Sequence, residues 1–109
     1  MKLPNKEKAY IPEAKIMEYL LAEQHPVGGS KAKFFRAFGF NESNTDLLES
    51  ALLKLAQADV ERVKPSERGT KYTIVGDIQT PNGRIITITT VWIIEKNESH
   101  PRFVTAYPD

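Results

Sequence analysis

Apolar positions along this chain keep two different periods, and the change between them falls near residue 59. Ile16, Tyr19, Leu20 and Glu23 share one side at helical spacing, with Met17 and Leu21 beside them. Pro12 suits a first helical position, where its missing N–H costs nothing, and Pro26 is a stop, so the spacing predicts helix one over 12–23. Ser30 is a good N-cap for a short second helix. Phe34 and Phe38 stand four apart in it, Gly39 can end it in the left-handed conformation, and Phe40 can fold back as its apolar contact. Leu47, Leu48, Ala51, Leu52, Leu55 and Ala58 then predict helix three over about 46–57.

From there the period is two. Val60 and Val63 begin a first strand, residues 65–69 make a turn, and 71–78 alternate as a second strand. Thr80-Pro81-Asn82-Gly83 is a hairpin signal that leads into residues 84–95, the longest β-branched and aromatic run of the chain. Alternation puts Ile86, Ile88, Thr90, Trp92 and Ile94 on one face and Ile85, Thr87, Thr89, Val91 and Ile93 on the other. Both faces carry large apolar groups, which makes this the expected central strand. A last strand over 102–107 returns antiparallel beside it. The expectation is an α+β single domain over 1–109: three N-terminal helices packed on a C-terminal three- to four-stranded antiparallel sheet.

Composition agrees with one ordinary globular domain: 109 residues, 40% hydrophobic and 27% charged, with no cysteine and therefore no disulfide. The apolar runs are far shorter than the ~20 residues of a spanning helix. The opening Met1–Lys8 has no apolar signal-like core, so the expectation is a cytoplasmic protein that does not engage a membrane. The net charge of +1 is unevenly spread. Residues 1–38 hold seven Lys or Arg against four Asp or Glu, and this mild basic excess is compatible with an anionic partner or with a solvated face.

Little of the sequence looks like metal or nucleotide chemistry. Two distant histidines without cysteine argue against a zinc site, and nothing calls for a cofactor. Gly28-Gly29-Ser30-Lys31 lacks the spacing of a phosphate-binding NTPase loop and has no βαβ unit around it. A Gly-Gly turn feeding a helix start, with Lys31 and Lys33 nearby, still offers N–H groups and positive charge to a phosphate. An ordinary capped helix with solvated lysines is the plainer reading.

Five segments together carry a resemblance: Lys2-Leu3-Pro4-Asn5, His25 to Phe35, Thr80-Pro81-Asn82-Gly83-Arg84, Thr90-Val91-Trp92-Ile93-Ile94 and Pro101 to Pro108. The chain resembles a bacterial domain family, named for having no assigned function, that occurs alone, notably in cyanobacteria, and at the C-termini of large polymorphic toxins. Its helices-then-sheet layout is similar to the barnase, EndoU, colicin and RelE group of metal-independent ribonucleases. That likeness implies cleavage by the RNA 2′-hydroxyl, which needs groups to carry protons and cations or N–H donors for the charge developing on phosphate.

On this reading the catalytic candidates are His25, Lys31, Arg102, Thr105 and Tyr107. Ser30, Lys33, Arg84 and Thr90 are the phosphate- or RNA-binding candidates. Phe103, Thr105 and Tyr107 are expected on one sheet face, with Thr90 and Trp92 facing alike on the neighbouring strand. Each residue also has a plainer role: His25 at the surface or as a cap, the threonines and Tyr107 in sheet packing, Arg102 paired with Glu95, Trp92 in the core. The function that follows is a toxin-type ribonuclease acting on RNA, with a cognate antitoxin or immunity protein as the other expected partner. The alternative is a non-catalytic partner-recognition or immunity-type module on the same fold. Nothing in the sequence sets an oligomeric state.

Overall fold

Helices give way to strands at the expected place in the computed structural model, which describes residues 1–22 and 29–109. After a 3₁₀ turn at Lys6–Lys8, helix α1 opens as α-helix over Glu13–Lys15 and continues as a π turn over Ile16–Leu20. The Leu21 N–H closes that turn on the Ile16 carbonyl at 3.0 Å. The spacing predicts helix one to residue 23, yet the helix stops at Leu20 because Leu21 leaves helical geometry (φ −109°, ψ 3°). Helix α2 is Gly29–Ala37. Ser30 therefore lies inside its first turn and is not the N-cap that the sequence suggests.

The end of α2 follows its sequence closely. Gly39 takes φ +100°, a conformation costly for residues with a Cβ. The Gly39 N–H donates to the Arg36 carbonyl (3.0 Å) and the Phe40 N–H to that of Phe35 (3.2 Å), which satisfies two orphan carbonyls and folds Phe40 onto Phe35. Arg36 then ties the helices together, donating to the Leu21 carbonyl and to both oxygens of Glu42. That pairing holds the Glu42 carboxyl down to about 2. Helix α3, Thr45–Leu55, buries Leu48, Leu52 and Leu55 at helical spacing.

Strands β1 (Arg62–Pro65), β2 (Gly69–Gln79), β3 (Ile85–Glu95) and β4 (Arg102–Pro108) form one antiparallel sheet in the order 1-2-3-4, so β3 is paired on both sides. The β2–β3 connection is longer than a two-residue Asn-Gly turn. Gly83 donates to the Thr80 carbonyl at 3.0 Å, and Gly83 alone in the loop has positive φ (88°), a turn with Pro81 and Asn82 at its corners.

One face of the sheet is packed by α3. A Cβ on Gly76 would come within 2.5 Å of Leu55 Cδ1, so the helix sits directly on that glycine. Gly76 pairs with Ile88, on the face that also carries Thr90 and Trp92, and these three are fully buried. Trp92 meets Phe103 edge to face, with ring centroids 5.4 Å apart. The Trp92 indole N–H donates to Thr90 Oγ1 (3.0 Å), and that hydroxyl donates to the Ile74 carbonyl (2.9 Å). Thr90 thus serves the core and is sealed from any ligand, which corrects its reading as an RNA-binding residue.

The β3–β4 register slips once. Trp92 faces Phe103, but Val91 faces Thr105 and Thr90 faces Ala106, leaving Val104 as the extra residue of a bulge. The sequence reading, with strict alternation, puts Phe103, Thr105 and Tyr107 on one face together with Thr90 and Trp92. The bulge instead leaves Phe103 on the helix-covered face and turns Thr105 and Tyr107 to the opposite one, beside Val91 and Thr89.

Candidate functional site

Three elements converge at the β4 edge. Lys31, in the first turn of α2, donates from Nζ to Tyr19 Oη at 2.6 Å and to Thr105 Oγ1 at 3.0 Å. Tyr19 comes from the π turn of α1 and Thr105 from β4, and their two oxygens are 3.2 Å apart. The half-exposed Tyr107 ring stands beside them, its centroid 5.9 Å from Lys31 Nζ. Lys15, one turn before Tyr19, places its ammonium 4.7 Å from the Tyr19 ring centroid.

The electrostatics of this group follow from that geometry. Burial works to raise the Tyr19 phenol, but hydrogen bonds with Lys31 and Thr105 and the charges of Lys31 and Lys15 outweigh it, and the phenol ionises below its ordinary range. An ammonium joined to two hydroxyl oxygens can hold an anion such as a phosphate, and a phenol eased toward ionisation can take or give a proton. Among the described residues, no group of three or more His, Cys, Asp or Glu side chains is placed to share a metal ion.

The structure therefore brings Lys31, Thr105 and Tyr107 together. His25 lies outside the described residues. Arg102 occupies the other end of β4, where its Nη2 is 3.3 Å from Glu95 Oε2, the plainer of its two expected roles. Arg84 is exposed at the β2–β3 turn, near the far end of β3. Ser30 and Lys33 are exposed on α2. Tyr19 is the residue that the sequence assigns to packing alone. Lys15 four positions before it is the available signal, since i,i+4 neighbours on a helix put a cation against the ring.

The fold is thus an α+β domain in which helices cover one face of a four-stranded antiparallel meander and reach the other face around the β4 edge. The chain belongs to the DUF6883 family, a domain of unknown function, whose model matches residues 2–109. It is similar in structure to a chain of the contact-dependent growth inhibition toxin–immunity protein complex from Klebsiella pneumoniae 342, with a TM-score of 0.75 over 95% of this chain and 96% of that one. At 12% identity, that likeness is one of fold. No curated protein matches the chain. Among the described residues, no helix is long and apolar enough to cross a membrane.

Proposed function

We propose that this domain is a toxin-type ribonuclease that cleaves RNA by its own 2′-hydroxyl. The observation that carries the reading is the Lys31 ammonium held between the Tyr19 and Thr105 oxygens beside the Tyr107 ring. In the step proposed, the 2′-oxygen attacks the adjacent phosphorus, the P–O5′ bond breaks, and a 2′,3′-cyclic phosphate and a 5′-hydroxyl result. One group must accept the 2′-hydroxyl proton and another must supply a proton to O5′. Tyr19, with its lowered phenol, is one carrier, and His25 is the second from its place in the sequence just ahead of Lys31. Lys31 neutralises charge on the phosphate oxygens, Thr105 holds Lys31 and Tyr19 in register, and Tyr107 offers a ring for a base. The likeness to a chain of a toxin–immunity complex supports a toxin-related or immunity role.

Purified protein incubated with end-labelled total RNA in EDTA tests it. Cleavage should proceed with chelator present and leave cyclic phosphate ends. Tyr19→Phe and His25→Ala should each slow it by about 10²–10⁴-fold, the usual range for removing a proton-transfer group. Lys31→Met should reduce it by about 10²–10³-fold, as loss of one charge-stabilising donor does. Intact RNA with the wild-type protein, or full activity in Tyr19→Phe and Lys31→Met together, would overturn the assignment.

A second reading, a partner-binding or immunity-type module without catalysis, is favoured by one feature. A cleft of about 580 Å³ between α3 and the sheet is lined by Ala51, Leu55, Ile78 and Ile85, and Ile85 is 63% exposed.

A further inference from the structure

Register sorts the outward positions of the sheet into rows that run across the strands. Arg62, Thr73, Val91 and Thr105 are successive partners from β1 to β4, and so are Lys64, Lys71, Ile93 and Arg102. Partners in an antiparallel sheet point to the same side. Both rows therefore lie on the face turned away from α3, since the Gly76, Ile88 and Trp92 positions alternate with them. Lys31 meets the first row at Thr105 from around the β4 edge. Five cations thus share one face although they are scattered from position 31 to position 102 in the chain.

Their pairing is incomplete. Glu95 serves Arg102 at 3.3 Å and Arg68 at 3.8 Å. Among the described residues, no carboxylate forms an ion pair with Arg62, Lys64 or Lys71, and all three are exposed. Of the other acids of this face, Asp77 accepts from Thr87 Oγ1 (2.6 Å) away from the rows, whereas Asp109, which accepts from Thr89 Oγ1 (2.9 Å), borders the first row together with Glu61. Two shallow depressions mark the rows. One, of about 400 Å³, is bordered by Glu61, Arg62, Thr73, Thr89, Tyr107 and Asp109, and the other, of about 250 Å³, by Arg68, Lys71, Ile93 and Arg102. With strands ~4.8 Å apart, a row spans roughly 14 Å. A stacked strand advances about 3.4 Å per nucleotide, so a row holds a few nucleotides.

We propose that this open face is the binding track of a single-stranded RNA. Its phosphates lie across the strands from Lys31 and Thr105 on the β4 side to Arg62 and Lys64 on β1, and a base rests on the Tyr107 ring. The track takes its ligand, RNA, from the function proposed above, and it adds a set of residues remote from the reacting phosphate. A basic row with hydroxyls and one exposed aromatic ring suits single-strand binding, in which cations follow the backbone and a ring stacks a base. Lysines on an edge strand also discourage sheet-to-sheet association, so β1 has a rival explanation that the experiment separates.

The test uses a fluorescent 2′-O-methyl oligoribonucleotide, which has no free 2′-hydroxyl and is not cleaved, with anisotropy read over a range of salt. Wild type should bind, and the slope of log affinity against log salt should fall by about 1.4 in Lys64→Gln/Lys71→Gln, at ~0.7 for each single-strand phosphate left without its cation. Arg62→Gln alone should lower it by about 0.7. Lys54→Gln, on α3 over the other face, should leave it unchanged. No binding by wild type at low salt overturns the track. So does an unchanged slope in the double variant, an equal loss in Lys54→Gln, or self-association of the double variant with binding intact. Binding with these slopes but without cleavage of ordinary RNA supports the track and removes only the ribonuclease reading. Cleavage with an unchanged slope does the reverse.

Discussion

Tyr19 stands nearer the centre of the candidate site than its surroundings in the sequence suggest. Its phenol is lowered because the cations of Lys31 and Lys15 and the hydrogen bonds around it outweigh burial. A lowered acidic group stabilises the folded state in full above its unfolded pKa, here 10.0, and that contribution is lost as pH falls through the folded value. At neutral pH the shift therefore poises the group without adding stability. Ultraviolet titration of the four tyrosines should find one phenolate appearing ahead of the rest. Lys31→Met should return it toward the others, and a curve indifferent to that change would separate Tyr19 from the lysine. Lys31, Thr105 and Tyr107 are candidates through the resemblance rather than through spacing. Spacing does not distinguish Tyr19 from its packing neighbours, because helical period gives the side a residue faces and not whether its polar end reaches the rim. Arg102 is ambiguous in sequence for a similar reason, since its carboxylate partner lies across the sheet.

Among the elements, β3 behaves most as its composition demands. Ile88, Thr90 and Trp92 on its helix side are sealed, and the buried hydroxyl–indole pair is fully bonded. Trp92→Ala should cost about 3–5 kcal/mol as a large-to-small core change. Thr90→Val keeps the shape but strands the indole N–H, and should cost about 1–3 kcal/mol in the same denaturant or thermal melts. A near-native melting temperature for both variants would contradict the packing described. Three helices, a meander of three to four strands and the central place of β3 are legible in the sequence because the apolar period switches cleanly near Asp59. The π turn and the β4 bulge are not. Phe-Val-Thr-Ala-Tyr alternates equally well with or without one extra residue, and only the pairing with β3 decides which side Thr105 and Tyr107 face.

For the molecule as a whole, the layers meet closely at Gly76 under Leu55. Gly76→Val should push α3 off the sheet and lower stability by about 1–3 kcal/mol through overpacking, measurable as a fall in melting temperature. Unchanged stability would mean that α3 has room to spare there. The Lys31 junction is built differently, from pieces distant along the chain. Thr105 lies 74 residues from Lys31 and 86 from Tyr19. The sheet pairs by hairpins between neighbouring strands, whereas closing a loop of that length carries a larger entropy cost. A chain emerging N-terminus first holds Lys31 and Tyr19 early but acquires Thr105 almost last. Forms in which β4 has not docked therefore lack the junction, and an activity that uses it begins only when the final strand is in place.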